Sequence, residues 1–153
     1  GMPPKHPSRR PRSKAELLPL PAAHVRAISL ENHLALATIR SGHGSSETMI
    51  ALLRVLYLAF YILDPEVPDV DLALFLEVES VLQHSIDEAA AGRHWVVPDE
   101  HRVTIERLLL RTDVLVSQVP KYRYVQAWNK LCRFACSAEL SPLPGSQLTE
   151  VWQ

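Results

Sequence analysis

The sequence predicts an all-α fold: a single-domain bundle of about five helices around one central apolar helix, with an extended N-terminal arm. Three observations predict it. Apolar residues recur at spacings of three and four through most of the chain, which is the helical period. Period-2 alternation, the mark of half-buried strands, is absent. Proline and glycine punctuate the apolar segments and leave only short connections, which favour antiparallel neighbours. With 153 residues, 47% apolar and 22% charged, the chain is long enough to bury such a core without disulfides or a metal.

The arm comprises residues 1–21, and residues 22–153 form the helical domain. Pro3, Pro4, Pro7, Pro11, Pro19 and Pro21 exclude a helix from the arm. Gly1 ahead of Met2 reads as a cloning remnant. Lys5, Arg9, Arg10, Arg12 and Lys14 all precede the first acid, Glu16, so the start of the arm is strongly basic. Beyond Lys14 eleven basic and seventeen acidic residues remain, so the rest of the chain carries about −6. A basic arm on an acidic body is predicted to dock on its own domain or on a second copy. The overall charge of −1 excludes a uniformly basic nucleic-acid binder. No apolar h-region follows the basic start, so the expected compartment is the cytoplasm. Arginine outnumbers lysine twelve to four, the bias of a GC-rich bacterial genome.

The first predicted helix runs from Ala22 to Arg40, with a break near Ser29 and an inward stripe of Leu30, Leu34, Ala37 and Ile39. It stops at Ser41-Gly42-His43-Gly44. Ser45 or Ser46 then caps a helix from Glu47 to Leu63 that is apolar on every side and must therefore be surrounded. Its apolar run, Met49 to Leu63, is interrupted by Arg54 and is short for a ~30 Å hydrocarbon core, so no membrane span is expected. Asp64-Pro65 ends it. The third helix, Asp71 to Ala91, carries Phe75, Val78, Leu82, Ile86 and Ala89 inward. His94-Trp95-Val96-Val97 is a packed connector. The fourth, from Pro98-Asp99 to Gln118, buries Ile105, Leu108, Thr112, Leu115 and Val119. Lys121 to Glu139 is the fifth, with Tyr124, Trp128, Leu131 and Ala135 inward. Leu148, Val151 and Trp152 are expected to dock a last turn.

Few residues suggest chemistry. His6, His24, His33, His43, His84, His94 and His101 form no Glu-x-x-His or His-x-x-x-His pair, so no metal site is expected. Cys132 and Cys136 sit one turn apart; parallel Cβ vectors make a disulfide between them poor, and burial as small apolar thiols is the expectation. Asp64, Glu66, Asp69 and Asp71 lack the glycine and glutamate of a calcium loop. No nucleophile elbow, P-loop or dinucleotide fingerprint occurs, so neither a catalytic residue nor a cofactor is expected. The turn Gly42, His43, Gly44, Ser45 and Ser46 at a helix N-terminus is a candidate anion or ligand site. Arg9, Arg10 and Arg12 in the arm, with Arg123, Lys130 and Arg133 among the aromatics of the last helix, are candidate nucleic-acid contacts. A helix-turn-helix reading of His33 to Leu56 offers only MIALLRVLYLAF as its recognition helix, with nothing to read base edges.

The stretch His33 to Ser46, HLALATIRSGHGSS, with the apolar helix after it, resembles a group of small proteobacterial helical proteins, some of them labelled Fis-type transcriptional regulators. The resemblance covers about Leu17 to Pro144 in general pattern and carries over no functional residue. The leading expectation is a non-enzymatic helical interaction module that forms a homo-oligomer. The alternative, which the resemblance implies, is a DNA-associated regulator using the basic arm and the 121–133 helix.

Overall fold

A computed structural model describes residues 10–148. Helix α1 spans Lys14–Leu17, α2 Ala22–Arg40, α3 Ser46–Leu63, α4 Asp69–Ala90, α5 Asp99–Gln118 and α6 Lys121–Ala135. Nothing among the described residues forms a strand; a single antiparallel bridge joins Pro19 to Pro120. The fold is the all-α bundle expected, and Glu47 to Leu63 is its centre.

The apolar composition of α3 dictates that position. Met49, Leu52 and the whole run Val55 to Phe60 are buried, and Ile62 with them. A helix apolar all round must be covered all round, and α2, α4, α5 and α6 all pack against it. Only Ser46, Glu47, Ile50 and Arg54 remain exposed on it. By length and composition Ser46–Leu63 is also long and apolar enough to cross a membrane, with a mean hydropathy of 1.6. Burial in the bundle accounts for that apolarity.

Helix boundaries follow the punctuation. Proline is the N-cap residue of α2, α4, α5 and α6, its φ already near the helical value. α3 instead starts on Ser45, whose Oγ accepts from the Thr48 N–H while Thr48 Oγ1 accepts from the Ser45 N–H. α2 and α4 end alike. Gly42 at φ +85° and Gly92 at φ +90° turn the chain. The following N–H groups, of His43 and Arg93, reach back to the carbonyls of Thr38 and Glu88.

Four expectations are corrected. The arm does hold a helical turn, α1, between Pro11 and Pro19; Ser13 and Glu16 form a capping box that starts it. α2 runs unbroken through Ser29. Its inward face is Val25, Ile28, Leu36 and Ile39, whereas Leu30, Leu34 and Ala37 are exposed. In the last turns of α6 the inward face drifts to Leu131 and Phe134, because Phe134 packs edge-on against Tyr57 at 5.2 Å between centroids. That rotation leaves Ala135, Cys132 and Cys136 exposed, not buried. The α5 stripe is buried as read. Val151 and Trp152 lie outside the described residues.

Polar side chains pin the bundle at its edges. Asp71, near the start of α4, is buried and receives Arg111 of α5 through two hydrogen bonds of 2.8 and 3.2 Å. His33 Nε2 of α2 lies 2.8 Å from Asp113 Oδ2 of α5.

Leu56 has no exposed surface and contacts the core from the middle of α3. Leu56→Ala is expected to lower unfolding stability by about 2–5 kcal/mol, through lost transfer energy and the cavity left behind. A loss under about 1 kcal/mol in denaturant titrations contradicts a central α3.

Candidate functional site

The cation cluster is partly assembled. The arm lies along α6: α1 packs on it, Leu20 is buried, and the Lys121 N–H donates to the Leu18 carbonyl at 2.9 Å. This brings the Arg12 guanidinium over the Tyr122 ring at 3.9 Å. Arg12, Arg123 and Lys130 line one open cleft with Asp64 and Glu66. Two of the three cations have partners inside the fold. Arg123 donates to the Ile62 carbonyl at 2.8 Å, satisfying an end carbonyl of α3. Lys130 Nζ stands 3.5 Å from Asp64 Oδ2 at the α3 C-cap. Arg10 borders an adjoining hollow with Arg12 and Glu16. Arg133 lies about one turn beyond Lys130 on α6, and the two border a further hollow with Tyr61 and Glu139. Arg9 is outside the described residues. The cleft therefore ties the arm and the end of α3 to α6 before it offers charge to anything else.

The glycine turn is committed in the same way. The N–H groups of Gly42 and His43 close the end of α2, and those of Ser45 and Thr48 serve the capping box of α3. His43 Nδ1 lies 3.1 Å from Ser41 Oγ. Gly44 is required for a packing reason: a Cβ there would stand 2.3 Å from the Trp95 carbonyl oxygen. The turn wedges against the Trp95 connector, and the N–H groups of Gly42, His43 and Ser45 are all bonded within the helices it joins.

Sequence reasoning missed the one buried acid without a basic partner among the described residues. Glu79 of α4 is 2% exposed. Its Oε2 accepts from Tyr57 at 2.7 Å and from Ser141 at 2.5 Å, and its Oε1 from Ser146 at 2.5 Å. Three hydroxyls satisfy the carboxylate and tie the segment after α6 to the core, with Leu143 buried between them. The signal was present: Glu79 falls four residues after Phe75 and three before Leu82, on the inward stripe itself. A hollow of about 680 Å³ opens beside it, lined by Glu77, His84, Asp87 and His101. Among the described residues, no three His, Cys, Asp or Glu side chains gather as a metal site. The carboxylate is held by the protein's own donors.

What the fold leaves unspent is apolar. Leu30 and Leu34 on α2 are 70% and 60% exposed, and Val103, Leu110 and Val114 on α5 are 60%, 54% and 42% exposed. The His33–Asp113 contact fixes the seam between these two helices. Leu30 and Leu34 are neighbours on the surface of α2, as Leu110 and Val114 are on α5, each pair four residues apart. No protein-family model, no curated protein and no solved structure matches the chain.

Tyr57 makes the Glu79 cluster measurable. Burial first, then the hydrogen bond to Glu79 and its negative charge, hold the Tyr57 phenol protonated far above a tyrosine's ordinary 10.0. The unfolded chain loses that proton near pH 10, so the stabilisation is complete below that pH and declines as pH rises beyond it. Tyr57→Phe is expected to cost about 1–3 kcal/mol at neutral pH, by leaving the carboxylate one donor short. The alkaline decline of stability becomes shallower in the variant. An unchanged alkaline profile, measured by urea titration across pH, contradicts this coupling.

Proposed function

We propose that this protein is a non-enzymatic helical interaction module, working in the cytoplasm as a homo-oligomer, and that its working surface is the outer face of α2 and α5. One observation carries the reading. Five of the twelve exposed large hydrophobics among the described residues lie on these two helices, which pack against each other. Scattered surface leucines need no explanation, whereas a contiguous apolar patch on one face does. The non-enzymatic part is supported by the fate of the polar candidates. Three N–H groups of the glycine turn, Glu79 and two of the three cleft cations are engaged within the fold.

A photoreactive side chain replacing Leu34 or Leu110 is expected to give covalent adducts in cells on irradiation. The same group replacing Asp87, on the exposed side of α4, serves as control. Absence of adducts above that control contradicts the interaction reading.

A DNA-associated role is the second reading, supported by Arg10, Arg12 and Lys130 along neighbouring hollows. It requires affinity for duplex DNA that falls steeply between about 50 and 200 mM salt, and a flatter dependence once residues 2–14 are deleted. Undetectable binding of mixed-sequence DNA at low salt eliminates it.

A further inference from the structure

The outer face of α2 has a regular spacing. Ala23, Ala27, Leu30, Leu34, Ala37 and Ser41 are all exposed, and their separations are four, three, four, three and four. This is the 3.5-residue repeat of a coiled-coil seam, on the side of the helix opposite Val25, Leu36 and Ile39. With Leu30 and Ala37 at d and Ala27 and Leu34 at a, Arg26, His33 and Arg40 occupy g positions. His24, Glu31 and Thr38 occupy e positions. Arg26 and Glu31 are exposed. α2 thus has two apolar faces, one spent on its own bundle and one unspent.

From this geometry we infer that the occupant of the outer face is a second copy of the same helix, α2 against α2, running parallel about a two-fold axis. The inference rests on the interaction-module reading and names its partner. Charge selects the copy and its direction. In a parallel pair, each g residue meets the e residue five positions on in its partner. Arg26 then faces Glu31 of the second copy, and the symmetry makes the contact twice. His33 is already held by Asp113 of its own α5, so the His33–Thr38 position adds no pair. In an antiparallel pair that overlays the whole seam, g meets g and e meets e. Glu31 would then meet its own copy, and Arg26 would meet Arg40. The chain opposes that arrangement with like charges.

Size is consistent with a weak specific contact. A nineteen-residue helix is about 28 Å long. With α5 alongside, the face is about 20 Å wide and so covers about 560 Å² per partner, the size of a small, weak interface and below the ~800 Å² of a standard one. Alanine at three seam positions lets the backbones approach, while Leu30 and Leu34 with their copies form the apolar centre.

The test is sedimentation of the full chain over a concentration series, with circular dichroism to confirm that each variant is folded. The wild type is expected to form a dimer. Because every substitution enters the interface twice, Leu34→Asp should raise the dimer dissociation constant by about 100-fold or more. Arg26→Glu and Glu31→Arg should each raise it by about tenfold, through two like-charge contacts apiece. Mixing those two single variants should form a heterodimer of near wild-type affinity, because each then meets its opposite. The double exchange within one chain should restore the homodimer. A wild type that stays monomeric at about 100 μM overturns the pairing, because even Kd values in the high micromolar range would show there. A dimer insensitive to Leu34→Asp, or single-charge variants that fail to complement each other, also overturns it. Photo-adducts from Leu34 that contain only another protein overturn self-pairing and leave the interaction reading standing.

Discussion

The structure depends on having to cover one helix. Ser46–Leu63 carries so little polar surface that no arrangement with an open side suits it, and four helices close around it. Each of the four then needs an apolar stripe facing inward and nothing more elaborate. Core density at α3 also sets how little the rest must contribute. The arm docks through one buried leucine, a backbone hydrogen bond and a cation over a ring. The segment after α6 docks through one leucine and two serines.

Polar groups in this molecule are structural fasteners. A buried acid left without a partner costs several kcal/mol. Each buried acid here has partners that bridge elements distant in sequence. Asp71 holds α4 to α5 through a guanidinium, whose fork matches the carboxylate. Glu79 uses hydroxyls alone, which supply donors without a second charge to desolvate. Arg123 and Lys130 look free in the sequence but are consumed at the end of α3, where orphan carbonyls and Asp64 wait for donors.

Most of the fold was legible because its signals are local. Proline and glycine mark every helix end except that of α6 to within a few residues, and the inward stripe of α5 is buried as read. α2 was not legible, since it carries two apolar stripes and periodicity cannot say which of them faces home. Leu36, Ile39, Ile28 and Val25 are as regular as Leu30, Leu34 and Ala37. Only packing against α3 and α5 decides, and that is a tertiary fact. Cys132 and Cys136 went astray for a related reason: Phe134 pulls the end of α6 round onto Tyr57, a contact more than seventy residues away in sequence. For the candidate sites, the residue types were visible but their engagement was not. The partners of Arg123 and Lys130, and the two serines that bond Glu79, lie sixty to seventy residues off.

The two-faced character of α2 sets limits on what its outer face can do. Fully burying a leucine is worth about 1.5–3 kcal/mol, and Leu30 and Leu34 still have most of their surface to bury. Two copies contribute four such side chains. Their summed transfer energy is of the same order as the ~4–15 kcal/mol lost when two bodies surrender their independent motion. Leucine burial alone therefore brings a pair close to balance and leaves its affinity to the flanks. In such a contact a charge pair worth under ~1 kcal/mol, made twice by symmetry, changes affinity severalfold and decides between parallel and antiparallel arrangements. The exposed leucines provide attraction without direction. Arg26 and Glu31, five residues apart on opposite edges of the seam, provide the direction.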